Sequence, residues 1–423
     1  MSLRSFDHLL RTAVFSVATA AATAGTGFVF WVIVARAYSA SDVGIATTLT
    51  AALSVLCYVA LLGMDGTTLR FLAASSQRGV LVGQALAVVS FAGLVTGGVY
   101  LIVALTFSSE LSVLTSDPFL IALFLLSAVV ASANLLTDFV FVSLRRAQFN
   151  VVANGILSGL VKISAAPLLV ALGTMGIVMS TGLGFAAALI LSLYLIRTRL
   201  GLKVKMGHAR TAVADQWRYS LSNYAARLFA LLPTMAIPVI VVHHHGAAEA
   251  AYFAVALQIA TLLYALARAV GEAVLAEASQ EGAPIPALVR RAAWLMLLSQ
   301  VPAGLVTVLL SGLILSLFGS EYSEGARNLL QVLAVGAIGV ALQSWATNVL
   351  LIFNLLRPMM LVNLVYCLVT VGLTLAFKDA DLTYTGLAWS SGYLVSGALG
   401  AAFIARHMRR RRQHGFSSLE EAA

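Results

Sequence analysis

The amino-acid sequence predicts an all-α polytopic membrane protein. It is read as about twelve transmembrane helices in two six-helix halves, related as parallel repeats, with a central cavity between them. Three observations predict this class. Only 10% of the 423 residues are charged and 60% are hydrophobic, whereas a soluble domain carries about 25% charged residues. The charges bracket long apolar runs: Arg11 to Arg36 encloses 24 uncharged residues, Arg78 to Glu110 encloses 31 and Lys162 to Arg197 encloses 34. About 18 such residues suffice to cross a bilayer. Finally, short motifs in the first half recur in the second at a near-constant offset.

The elements follow from these runs and from the breaks between them. Helix 1 (12–36) fills the run after Arg11. It is expected to be a true first span, because a cleaved leader has a shorter apolar core. The turn Ser39-Ala40-Ser41-Asp42 introduces helix 2 (43–68). Helices 3 (79–107) and 4 (119–144) follow, then 5 (149–172) and 6 (175–197), parted by Gly173-Thr174. The polar stretch TRLGLKVKMGHARTAVAD (198–215) divides the chain into an N-terminal lobe, 1–205, and a C-terminal lobe, 206–423. Helices 7 (217–243) and 8 (248–275) meet at HHHG, and helix 9 (287–317) starts after Gly282-Ala283-Pro284. Helices 10 (326–354) and 11 (358–377) meet at Arg357-Pro358, and helix 12 (385–406) runs into the basic tail MRRRRQHG. Glycine, proline, serine and aspartate at these breaks are the residues that stop helices.

An even number of spans puts both termini on one side. Taking that side as cytoplasmic places 20 of the 26 Lys and Arg residues inside and 3 outside, with Lys162, Arg227 and Arg268 within or near spans. That asymmetry is the positive-inside signature. It accounts for the net charge of +9 without nucleic acid, and it makes the tail a cytoplasmic stop signal in contact with membrane lipids. Cys57 and Cys367 both lie in apolar runs, which argues against a disulfide framework.

The repeat is read from several matches. GIVMSTG (176–182) recurs as GLAWSSG (386–392), Asn134 falls opposite Gln343, and Asn154 opposite Asn363. Six helices per unit keep the orientation, so such halves are parallel repeats with a substrate site between them.

Several stretches resemble the polysaccharide flippases, the Wzx-like branch of the multidrug/oligosaccharidyl-lipid/polysaccharide exporter superfamily. They are VARAYSASDVGIATTL (34–49), GMDGTTLRFLA (63–73), FVSLRRAQFNVVANGILSGLVK (141–162) and LFGSEYSEGARNLLQVLA (317–334). Where many relatives carry an acid midway along helix 7, this chain reads RLFALLPTMAIPVIV (227–241), which has none. The resemblance implies alternating-access flipping of a polyprenyl-pyrophosphate-linked oligosaccharide across the bacterial inner membrane. Polymerase or other glycan-assembly proteins would be partners. No bond is broken, so no catalytic residue, metal or cofactor is called for. The competing classes are a drug/cation antiporter of the same superfamily, which needs an acidic, aromatic-lined cavity, and a non-transporting scaffold, which needs no cavity.

Charges within spans are the candidate site, since one costs about 2.5–3.5 kcal/mol at the bilayer centre. Lys162 lies about 12 residues, roughly 18 Å, into helix 5. It shares a face with Gly155, Ser158 and Gly159, a small and polar stripe that points into protein. It is read as a cavity cation, or as the partner of Asp138. Arg227, four residues after Asn223, is the expected cation of the opposite half, and Asn154 and Asn134 complete the cavity set. Asp65, Arg70, Asp138 (on a face with Asn134 and Arg145), Arg268 and Glu272 are read as gate or ion-pair residues. His243, His244 and His245 point about 100° apart on a helix, so they cannot converge on one metal. They are expected to mark the external rim.

Overall fold

The computed structural model describes the backbone of residues 3–107, 118–205, 213–278 and 285–420. Some side chains in those ranges, among them Arg70, Asn223, Arg227 and Glu272, lie outside the described residues. Among the described residues twelve helices are long and apolar enough to cross a membrane. They are α1 (Leu3–Ala37), α2 (Ala40–Ala60), α3 (Arg78–Phe107), α4 (Pro118–Ser143), α5 (Gln148–Leu168) and α6 (Thr174–Thr198). The second half has α7 (Val213–His245), α8 (Ala247–Ala278), α9 (Ile285–Leu309), α10 (Arg327–Ile352), α11 (Leu356–Ala376) and α12 (Leu382–Glu420). The side at which α1 begins and α12 ends is called the basic face below, and the other the far face.

The two halves repeat one packing scheme. In the first, α1 packs on α5, α2 on α4, α4 on α6 and α5 on α6. In the second, α7 packs on α11, α8 on α10, α10 on α12 and α11 on α12. A hydrogen bond repeats as well. Asn134 Nδ2 donates to Asn154 Oδ1 (2.7 Å), and at a common offset of 209 residues Gln343 Nε2 donates to Asn363 Oδ1 (3.2 Å). The matched amides of the sequence are therefore the same inter-helix bond built twice.

Three elements depart from expectation. Helix 2 stops at Ala60. Leu62 (φ +48°) and Gly63 (φ +80°) turn the chain, and Asp65 and Arg70 belong to a separate short helix, Met64–Phe71. The apolar run ends at Met64 and polar residues from Asp65 follow, so the fall in hydropathy and Gly63, which tolerates positive φ, both marked a break that the expected helix to 68 ran through. Helix 9 likewise ends at Leu309, and Ser311–Ser316 and Ser320–Gly325 form short helices before α10. Arg145 adopts φ +59° beyond the end of α4, so it does not share a helical face with Asn134 and Asp138.

Close approach at small residues holds the helices together, as expected where lipid removes any hydrophobic advantage of burial. The stripe on α5 faces α1: a Cβ at Gly155 would meet Ala22 at 2.8 Å, and one at Gly159 would meet Thr26 at 2.4 Å. The largest buried cluster joins both halves, with Leu49 and Leu53 of α2 beside Val241 of α7 and Phe253 of α8.

Candidate functional site: a cationic cavity between the lobes

A cavity of about 310 Å³ lies between the two halves. Its walls come from α1, α2, α5 and α6 on one side and α7 and α8 on the other. Among the described residues Lys162 is the one charged residue of the lining, and none of them is an acid. The ammonium lies 4.2 Å from the centre of the Phe185 ring. A desolvated cation over an aromatic face gains about 2 kcal/mol, which offsets much of its insertion cost. A Cβ at Gly184 would meet the Lys162 stem at 2.5 Å, so that glycine makes room for the side chain.

The alternative partner of Lys162 is otherwise engaged. Asp138 Oδ1 accepts a hydrogen bond from Asn154 Nδ2 at 2.5 Å, and among the described residues it forms no ion pair with the lysine. Asn154 thus bridges Asp138 and Asn134, and it also lines the cavity, whereas Asn134 is 4% exposed and sits behind it. Asn154 stands in a π-helical segment of α5, Val151–Leu157, a local irregularity frequent at functional sites. Arg268 is exposed near the basic end of α8, outside the cavity lining. Asp65 sits on the short helix after α2, also away from the lining. The expected pairing of Lys162 with Arg227, and the roles of Asn223, Arg70 and Glu272, fall on side chains outside the described residues. His243 and His244 are exposed at the far end of α7, with ring centres 4.7 Å apart.

Most of the polar lining was not singled out in the sequence. It is built of hydroxyls, among them Thr26, Thr47, Thr50, Ser54, Thr181 and Thr261, with Gln258 and Asn154. Thr47, Thr50 and Ser54 fall at i, i+3 and i+7 on α2, a helical-face spacing that a search restricted to charges passes over. These hydroxyls spend their protons on their own helices. Thr26 donates to Ala22 O, Thr47 to Gly44 O, Thr50 to Thr47 O, Ser54 to Thr50 O, Thr181 to Ile177 O and Thr261 to Leu257 O, all at 2.8–3.0 Å. Their lone pairs remain as acceptors, while the ammonium supplies donors and charge.

Among the described residues of the cavity lining the cation comes from the first lobe. At the repeat offset, Lys162 corresponds to Val371. The second lobe is filled instead by the buried rings of Tyr264, Tyr366 and Trp389, with Tyr366 packed 4.3 Å from Tyr393.

The far end of the cavity is closed by contacts between lobes, and the motif around Arg36 makes them. Arg36, in the last turn of α1, donates through Nε to Leu317 O (2.7 Å) and through Nη2 to Ser316 O (3.4 Å). Phe28 meets Phe318 edge-on at 5.4 Å. Gly44 lies so close to α8 that a Cβ there would sit 1.7 Å from Ala247 O. Within the first lobe, Asp42 Oδ1 accepts from Thr174 N and Thr174 Oγ1, both at 2.8 Å, strapping α2 to α6. Tyr38 Oη donates to Ala166 O at 2.6 Å. Burial, then the nearby Asp42 carboxylate, hold the Tyr38 phenol above its ordinary pKa, so it stays a donor. This family-like stretch is a closing device rather than a ligand site.

The architecture, two six-helix lobes around a cavity, is a fold shared with several solved membrane proteins. It is similar to an inward-facing multidrug resistance MATE family transporter (14% identity, 94% of each chain, TM-score 0.68). It is also similar to the lipid II flippase MurJ in an inward closed conformation (14% identity, 93% of this chain and 87% of that one, TM-score 0.76). A MOP superfamily transporter from Pyrococcus furiosus, described as having a binding pocket of reverse polarity, matches at 12% identity (96% and 95% coverage, TM-score 0.61). The family profile "PelG: Putative exopolysaccharide Exporter (EPS-E)" matches residues 271–416, about a third of the chain. No curated protein matches the sequence.

Proposed function

We propose that this protein exports a lipid-linked glycan. It accepts an oligosaccharide on a polyprenyl pyrophosphate at the cytoplasmic side of the bacterial inner membrane and releases it outside by rocking of the two lobes. The carrying observation is the sign and chemistry of the cavity, which among the described residues has one cation, no acid and a wall of hydroxyl acceptors. A glycan supplies many hydroxyl donors for such a wall, and a pyrophosphate or acidic sugar supplies the counter-charge for Lys162. The crowding of Lys and Arg on one face supports the orientation with both termini cytoplasmic. A closed far end then corresponds to a state that loads from the cytoplasm. The exopolysaccharide exporter profile over 271–416 and the fold shared with a lipid II flippase point the same way.

A drug or cation antiporter would use an acid where this lining has Lys162, and a scaffold would have no use for a polar cavity. The test is a chromosomal deletion complemented by wild type, Lys162→Ala or Lys162→Arg. The deletion and Lys162→Ala accumulate an unexported lipid-linked glycan inside the cell, and Lys162→Arg restores part of the export. Full export by Lys162→Ala at normal expression would overturn the proposal.

A further inference from the structure

Outside the cavity, the basic face of the first lobe carries a second opening, of about 420 Å³. It is lined by Arg146 and Arg199 above Phe149, Val152, Leu191 and Leu195. The fold brings these arginines together from the α4–α5 connection and the end of α6. Arg146 follows the left-handed turn at Arg145 that leads into α5, and Arg199 caps the end of α6. Arg146 and Arg199 are both exposed, and among the described residues no acid lines the opening. Below them the wall is wholly apolar and looks outward into the hydrocarbon, with Val152 47% exposed and the neighbouring Ile156 and Ile190 45% and 69% exposed. The π-helical segment that begins at Val151 sets this wall.

A cytoplasmic stop signal needs only the charges. It does not need a groove running from paired arginines down an apolar helix seam. The geometry points to a binding site for an anionic phospholipid, with its phosphate between Arg146 and Arg199 and an acyl chain along Phe149, Val152, Leu191 and Leu195. Basic pockets between transmembrane helices at the cytoplasmic level hold such headgroups. Arginine suits a phosphate because its donors are planar and forked.

The test uses the full chain in nanodiscs of phosphatidylcholine with or without phosphatidylglycerol, reading lipid retained after detergent exchange by native mass spectrometry. Wild type retains phosphatidylglycerol over phosphatidylcholine. Arg146→Ala with Arg199→Ala lowers that preference about thirtyfold, from about a fivefold contribution per basic residue. Arg290→Ala with Arg291→Ala, exposed basic-face residues of α9 outside the groove, leaves it unchanged. Equal retention by the Arg146/Arg199 variant, or an equal loss in the Arg290/Arg291 variant, would overturn the assignment. So would displacement of the lipid by inorganic phosphate at matched charge, since the site would then read the anion alone.

Discussion

Gly44 is the point at which a single added methyl group would press directly on the contact between the lobes. A Cβ at this position would lie 1.7 Å from Ala247 O, 2.7 Å from its carbonyl carbon and 3.1 Å from Ala251 N. All three atoms are backbone, so no side chain can turn away. Restoring a contact that real Cβ atoms tolerate requires α2 and α8 to part by more than an ångström at the far face. Overpacking of this kind costs about 1–3 kcal/mol, and the cost falls on the state closed at the far face. Gly44→Ala therefore shifts the ratio of closed to open far-face states by about fivefold to 150-fold toward open. The measurement is the labelling rate of Thr50→Cys, which lies in the cavity wall, by an impermeant thiol reagent added at the far face. The buried Cys57 and Cys367 are replaced by alanine in the background. Gly25→Ala serves as the control, because a Cβ there meets nothing within 4 Å. If Gly44→Ala and Gly25→Ala label at the same rate, the far-face seal is not where the structure puts it.

Two further outcomes follow from the bonds described. Asn154→Ala leaves the Asp138 carboxylate without its amide donor and frees Asn134 as well, which costs about 1–3 kcal/mol. Asn363→Ala, the repeat-related change, removes a neutral amide pair worth about 1 kcal/mol, so thermal unfolding in nanodiscs ranks Asn154→Ala the less stable; equal melting temperatures would refute the unequal roles. Arg36→Ala removes both carbonyl contacts of the inter-lobe latch and raises far-face labelling of Thr50→Cys by about fivefold, for an exposed charged bond of about 1 kcal/mol. Arg36→Lys, lacking the fork, falls between, and a silent Arg36→Ala would remove the latch from the argument.

Much of this protein follows from its sequence alone, because a bilayer permits few solutions. Chain crossing hydrocarbon must satisfy its backbone internally, so apolar runs bounded by charges become helices, and the twelve spans stand where the runs stand. The doubling was legible for a related reason: residues that bond across helices, Asn134 with Asn154 and Gln343 with Asn363, keep their spacing when a unit is duplicated. Lys162, which lines the cavity, stood out in the sequence because a charge in such a run must meet a polar surrounding. What the sequence did not contain was the choice of partner. Asp138 bonds Asn154 rather than Lys162, since which side chain a helical face meets depends on how neighbouring helices rotate and slide. Nor did a reading guided by charges and long apolar runs pick out the turn at Leu62 or the hydroxyl wall of α2. The acid and arginine of the stretch VARAYSASDVG strap helices and latch lobes. Only the tertiary structure brings Leu317 O to Arg36 and Ala247 O to Gly44, because those contacts join residues some two or three hundred positions apart.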